Sequence, residues 1–106
     1  MVKFLCFARY TTEGLKGLSK DKASGRRAAV CKALESAGGK LEAFYYALGK
    51  DDVVVICDMP DNASAAALSV AVGASGAGNL RTIPLLTVEE MDQGLAKPLT
   101  YRRPGQ

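Results

Sequence analysis

Apolar positions recur along the chain with two periods, two and 3.6, and the changes from one to the other mark out the elements. From Leu41 to Met59, the β-rich runs LEAFYYALG and DVVVICDM are joined by the polar GKDD, a spacing that predicts an antiparallel hairpin. With Leu48 opposite Val53, the pleat puts Phe44, Tyr46, Leu48, Val53, Val55 and Cys57 on one face and Leu41, Ala43, Tyr45, Ala47, Val54 and Ile56 on the other. Both faces are apolar, whereas a sheet with one face in water alternates apolar with polar residues. Val2 to Tyr10, VKFLCFARY, repeats the pattern, with Phe4, Cys6 and Ala8 to one side and Leu5 and Phe7 to the other.

The longer period governs Ser24 to Ala37, where Ala29, Val30, Ala33, Leu34 and Ala37 form the stripe of a helix stopped by Gly38 and Gly39. Thr11 to Gly17, TTEGLKG, carries two glycines and reads as a loop with at most one helical turn, begun at Thr11 or Thr12. Asp61 caps a second helix over Asn62 to Ala74, with Leu68, Val70, Ala71 and Val72. Gly73, Gly76 and Gly78 fall at and beyond the end of that helix, so they stop it instead of cradling a phosphate at its start. Asn79 to Leu86 is the last strand, confined by Pro84 to an edge or a bulge. Thr87 and Glu90 form a capping box for a third helix that runs to Lys97 and stops at Pro98. The order is that of a ferredoxin-like βαββαβ fold of the α+β class: a four-stranded antiparallel sheet with helices on one face, in one domain over 1–97 with a tail over 98–106. The second apolar sheet face then calls for a second copy, packed sheet to sheet as a dimeric α+β barrel, so a homodimer or higher homo-oligomer is expected.

Composition narrows the chemistry. A chain of 106 residues holds one core and not two, and 48% apolar with 24% charged residues excludes wholesale disorder. The net charge of +3 is scattered, with no basic stripe to track phosphates, so no nucleic-acid partner is expected. No apolar run approaches the roughly 20 residues of a membrane span, and the first ten residues carry no cleavage site, so a cytoplasmic protein without a membrane partner is expected. Cys6, Cys31 and Cys57 lie at no metal-ligand spacing and suggest no disulfide framework; they read as buried free thiols, and neither metal nor cofactor is expected. Histidine is absent, which excludes Ser-His-Asp and Cys-His catalysis, histidine-ligated haem and imidazole proton shuttles.

Two functions of different class remain. In the first, a non-catalytic binding or structural dimer, a cleft between helices and sheet would use Tyr45 or Tyr46 with Arg9 or Arg81 to orient an anionic or aromatic ligand. In the second, a cofactor-independent monooxygenase or isomerase would act on a small aromatic or lactone substrate, with Asp52 as base, Tyr45 or Tyr46 as hydrogen-bond donor and Arg9 stabilising an oxyanion. Against the second, Asp51 and Asp52 lie in a turn, where aspartate bonds local backbone. Arg26 and Arg27, near the start of the first long helix, read as solvated surface or as an anion or interface contact.

The segments FARYTTEGLKGL, GGKLEAFYYALGKDDVVVICDMPDNASAAAL and RTIPLLTVEEM resemble the GYD domain family, related to the dimeric α+β barrels, over about Val2 to Lys97. Gly49 and Asp52 match the family's Gly-x-Tyr-Asp element at the hairpin turn, but Asp51 stands where the tyrosine belongs. The resemblance implies two sheets packed face to face. The wider superfamily spans cofactor-free monooxygenases, lactone isomerases, haem-handling proteins and regulatory ligand-binding domains, so the resemblance leaves both functions open.

Overall fold

Which sheet face meets the helices is decided by the alternation in β1 (Val2–Tyr10) and β3 (Val53–Met59), the two central strands. In the computed structural model, which describes residues 1–106, these two are joined by α1 (Thr12–Ser36), β2 (Lys40–Tyr46), α2 (Asn62–Ala74), β4 (Gly78–Leu85) and α3 (Val88–Ala96). The strands form one antiparallel sheet in the order β2-β3-β1-β4. The fold is therefore α+β and ferredoxin-like, and β4, which carries Pro84, is an edge strand as its proline requires. Phe4 and Cys6 of β1 and Val53, Val55, Cys57 and Met59 of β3 are buried against Leu34 of α1 and Ala65 of α2, which makes this the helix-covered face.

The hairpin register differs from expectation by two residues. Tyr46 pairs with Val53 and Phe44 with Val55, and the Ala47 amide donates to the Asp52 carbonyl at 2.9 Å. Asp52 is also tied to β1, where its amide donates to the Ala8 carbonyl at 2.9 Å and its carboxylate accepts from the Tyr10 amide at 2.8 Å. Leu48 therefore lies in the connection and is fully exposed instead of pairing with Val53. A slip of two keeps every remaining side chain on its face, since the pleat repeats every two residues. Leu41 is the exception. A bulge between Leu41 and Ala43 puts it opposite Cys57, on the helix face against the core, not with Ala43 and Tyr45 as expected.

The first helix corrects the reading more deeply. α1 starts at Thr12, not near Ser24, with Thr11 as N-cap accepting from the Gly14 amide. Thr11 also donates its hydroxyl to the Gly76 carbonyl and its amide to the Ala77 carbonyl, tying the helix start to the turn before β4. Gly14 is buried there because a Cβ would overlap the Ala77 carbonyl oxygen and crowd the Tyr10 ring; close approach, not flexibility, is what this glycine supplies. The helix is broken once, at Lys22 (φ 67°, ψ 166°), which turns the segment carrying the expected stripe onto the sheet. α2 and α3 start at the expected caps, Asp61 and Thr87, the latter with a complete capping box to Glu90.

No residue of α3 is buried. The radius of gyration is 16.9 Å and the longest dimension 56 Å, against about 13 Å for a compact chain of this length. No helix is long and apolar enough to cross a membrane.

Candidate functional site

Small side chains on both helices leave the helix-sheet interface incompletely filled. Ala29 and Ala33 of α1 with Val72 of α2 face Cys6, Ala8, Phe44, Val53, Val55 and Leu80 of the sheet around a cavity of about 170 Å³. Fourteen of its eighteen lining residues are hydrophobic, so it favours apolar contents; a cavity of about 150 Å³ with such walls holds one benzene-sized ring. Its polar side chains are few: Arg26 on α1, Tyr10 at the end of β1 and Ser75 after α2.

Tyr46 stands beside this cavity, over a shallow groove with Ala23, Ser24 and Arg27 that shares Phe44 as a wall. Its ring meets Phe44 edge to face at 5.4 Å. Burial, and then the neighbouring Tyr10 hydroxyl, push the Tyr46 phenol up to about 12, with Arg26 opposing. Tyr46 thus keeps its proton at neutral pH and is a hydrogen-bond donor. The three groups, Tyr10, Tyr46 and Arg26, put two hydroxyls and one permanent cation beside an apolar chamber. Arg26 is half-held by Asp21 at 3.5 Å.

The predicted site residues divide between the two sheet faces. Tyr45 is exposed on the open face, across β3 and β1 from Arg81, in the row Tyr45, Val54, Phe7, Arg81. The Arg81 guanidinium lies 4.5 Å from the centre of the Phe7 ring and 3.0 Å from the Asp51 carboxylate. Arg9 shares that face by strand alternation, next to Asn79. Only Tyr46 of the four candidates presents its side chain on the helix side. Asp52 does not line the cavity; both its backbone and its carboxylate are occupied at the β1 end. Tyr10 was not among the sequence candidates, and no local signal marks it. Arg26 carried a signal, a cation near the start of a helix segment, and it is the lining cation that the helix supplies.

One polar strip crosses the apolar core. Ser69 of α2 lies 3.1 Å from the Thr82 hydroxyl of β4, Thr82 stands opposite Cys6 of β1, and Cys6 shares the helix-covered core with Cys57 of β3. Both thiols are buried and free, as expected, whereas Cys31 is half-buried on α1. Donation from Cys57, against burial and with help from Thr82, holds the Cys6 thiol down at about 7. Cys57, which keeps the shared proton, is pushed up by Cys6 and by burial. No cluster of three or more metal-ligating side chains is present.

Comparison with known proteins finds one family model, described as GYD domain, over residues 4–95. Comparisons with curated proteins and with solved structures find no match.

Proposed function

We propose that this chain, which belongs to the GYD domain family, is a non-catalytic small-molecule-binding protein that works as a homodimer through the open face of its sheet. The observation that carries the binding half is the cavity of about 170 Å³ between helices and sheet. Its volume suits one ring, its walls suit an apolar one, and the Arg26 cation with the Tyr10 and Tyr46 hydroxyls suits a ligand whose polar end is anionic or hydrogen-bonding. The dimer half rests on Leu5, Phe7, Val54, Ile56 and Ile83, which share the open face by register. The binder reading is preferred to an oxygenase or isomerase because the proposed base, Asp52, accepts the Tyr10 amide and is not part of the cavity wall.

Thermal unfolding with one-ring probes tests it. Phenylacetate, an apolar ring with a carboxylate, is expected to raise the melting temperature, and cyclohexylamine of similar size but opposite charge is not. At 100 times the dissociation constant the gain is roughly 2.7 kcal/mol. Ala33→Phe, which fills the chamber, should abolish the shift, and Arg26→Ala should weaken it for the carboxylate alone. No shift with any one-ring probe would dispose of the binding reading.

A further inference from the structure

We propose that α3 and the tail form an arm that closes over the sheet rim of a second copy of this chain. The inference rests on the dimer reading above and adds to it a contact that the sheet face does not supply.

The arm is an amphipathic helix with nothing to lie against. Val88, Met91 and Leu95 recur at i, i+3 and i+7 along its 9 residues, and all are exposed, Val88 and Leu95 by more than 70%. Leu86 before the helix and Leu99 and Tyr101 after it extend the apolar stripe and are equally bare. Isolated helices shorter than about 12 residues are marginal in water, and what normally holds such a helix is burial of its apolar face. Yet α3 starts with a full capping box from Thr87 and Glu90, a sequence built to form a helix at this place. Within its own chain it buries no residue, and the longest dimension of the molecule is 56 Å.

Area points to a second copy as the occupant. Four strands about 4.8 Å apart and about seven residues long, at about 3.3 Å per residue, present a flat footprint of about 440 Å² per copy. A standard interface takes about 800 Å² of accessible surface from each partner; side chains give the face more accessible area than its flat footprint, and an added arm brings the pair further into that range. An apolar arm leaving from the last residue of edge strand β4 adjoins that face and supplies more area.

Charge speaks against other occupants. The polar side of α3 carries Glu89, Glu90 and Asp92 and no cation, and Lys97, Arg102 and Arg103 beyond it bring the arm to zero net charge. A helix that lies on a membrane surface carries Lys and Arg on its polar face, and an arm for nucleic acid would be basic. A neutral arm can meet a body of charge +3 without net repulsion.

The experiment pairs truncation with cross-linking of the full chain. Sedimentation of the chain ending at Leu86 is expected to show a dimer dissociation constant at least tenfold above that of the full chain, and Met91→Asp combined with Leu95→Asp should reproduce the effect. Since α3 buries no residue, an unchanged cavity response to phenylacetate will show that the truncated chain is folded. In full-length protein mixed from light and heavy nitrogen isotopes, amine cross-links from Lys97 are expected to join light to heavy chains. A dimer whose dissociation constant ignores both changes, or Lys97 cross-links confined to one chain, would overturn the arm and leave the sheet dimer standing. A full-length monomer would overturn both.

Discussion

At the scale of residues, position in the pleat decided more than residue type. Tyr45 and Tyr46 are adjacent, and adjacent strand residues point to opposite faces, so the pair divides between the bare face and the helix side; that much was legible in the sequence. Asp51 and Asp52 divide as well. Asp51, where the family form has tyrosine, holds Arg81 over Phe7 on the open face, whereas Asp52 accepts from the Tyr10 amide. Their partners are remote in sequence, and no local pattern reports them. The thiols are a further case. Each cysteine alone read as a small buried hydrophobe, and burial bears that out for Cys6 and Cys57 but not for half-buried Cys31; that Cys6 and Cys57 share one face of adjacent strands comes from strand pairing. Because Cys6 is held at about 7 while Cys57 is pushed up, thiolate absorbance at 240 nm should show one group ionising below the ordinary free-thiol range of about 8.5, lost in Cys6→Ser, and none for Cys57 at that pH. The sign for stability follows from linkage. Cys6, with its folded value depressed, contributes above the unfolded value and loses that contribution as pH falls toward 7, so the Cys6→Ser difference in urea midpoint should be larger at pH 8.5 than at pH 6. Equal differences, or absorbance that rises only with the half-buried thiol of Cys31, would refute the assignment.

Among the elements, those with a local stop or start signal were legible and those set by distant contacts were not. Asp61 and Thr87 announced α2 and α3, and Pro84 announced an edge strand, because each of these acts on its own backbone. Glycine misled at α1. Gly14 and Gly17 argued for a loop on propensity, but the two occupy different surroundings: Gly14 is pressed against the Ala77 carbonyl, whereas a Cβ at Gly17 would meet nothing within 4 Å. Alanine substitution in the same helix should therefore have opposite signs. Gly17→Ala should stabilise by up to about 1 kcal/mol through the unfolded chain's lost freedom. Gly14→Ala should destabilise by about 1–3 kcal/mol through overpacking, as the carbonyl it would strike belongs to backbone that Thr11 holds by its amide. Urea unfolding of both variants gives the two midpoints, and a stabilised Gly14→Ala would mean that the helix start does not seat against the turn before β4.

For the molecule as a whole, the period-two strands carried the most: a residue pattern apolar on both sides implies a sheet that two layers cover, and α1 and α2 supply only one. The cavity was less legible, because its volume is what remains when alanine-rich helices cross the sheet at a distance no single segment encodes. The open face has Ile56 at its centre, in the row Ala43, Ile56, Leu5, Ile83, with the Lys3 ammonium bridging Glu42 at 3.0 Å and Asp58 at 3.1 Å near one end and the Arg81–Asp51 pair at the other. A polar rim round an apolar centre is the layout of an association surface. If two copies meet there about a two-fold axis, each substitution acts twice. Ile56→Lys removes about 1.5 kcal/mol or more of burial from each copy, about 3 kcal/mol in all, and sets two ammonium groups in an apolar seam, so the dimer should weaken by at least 100-fold and sediment as the 11.2 kDa monomer. Val70→Lys, on the exposed side of α2, should leave the dimer intact. The helix-side chamber does not include Ile56, so the monomeric variant should still respond to phenylacetate, which separates what one copy binds from what two copies build.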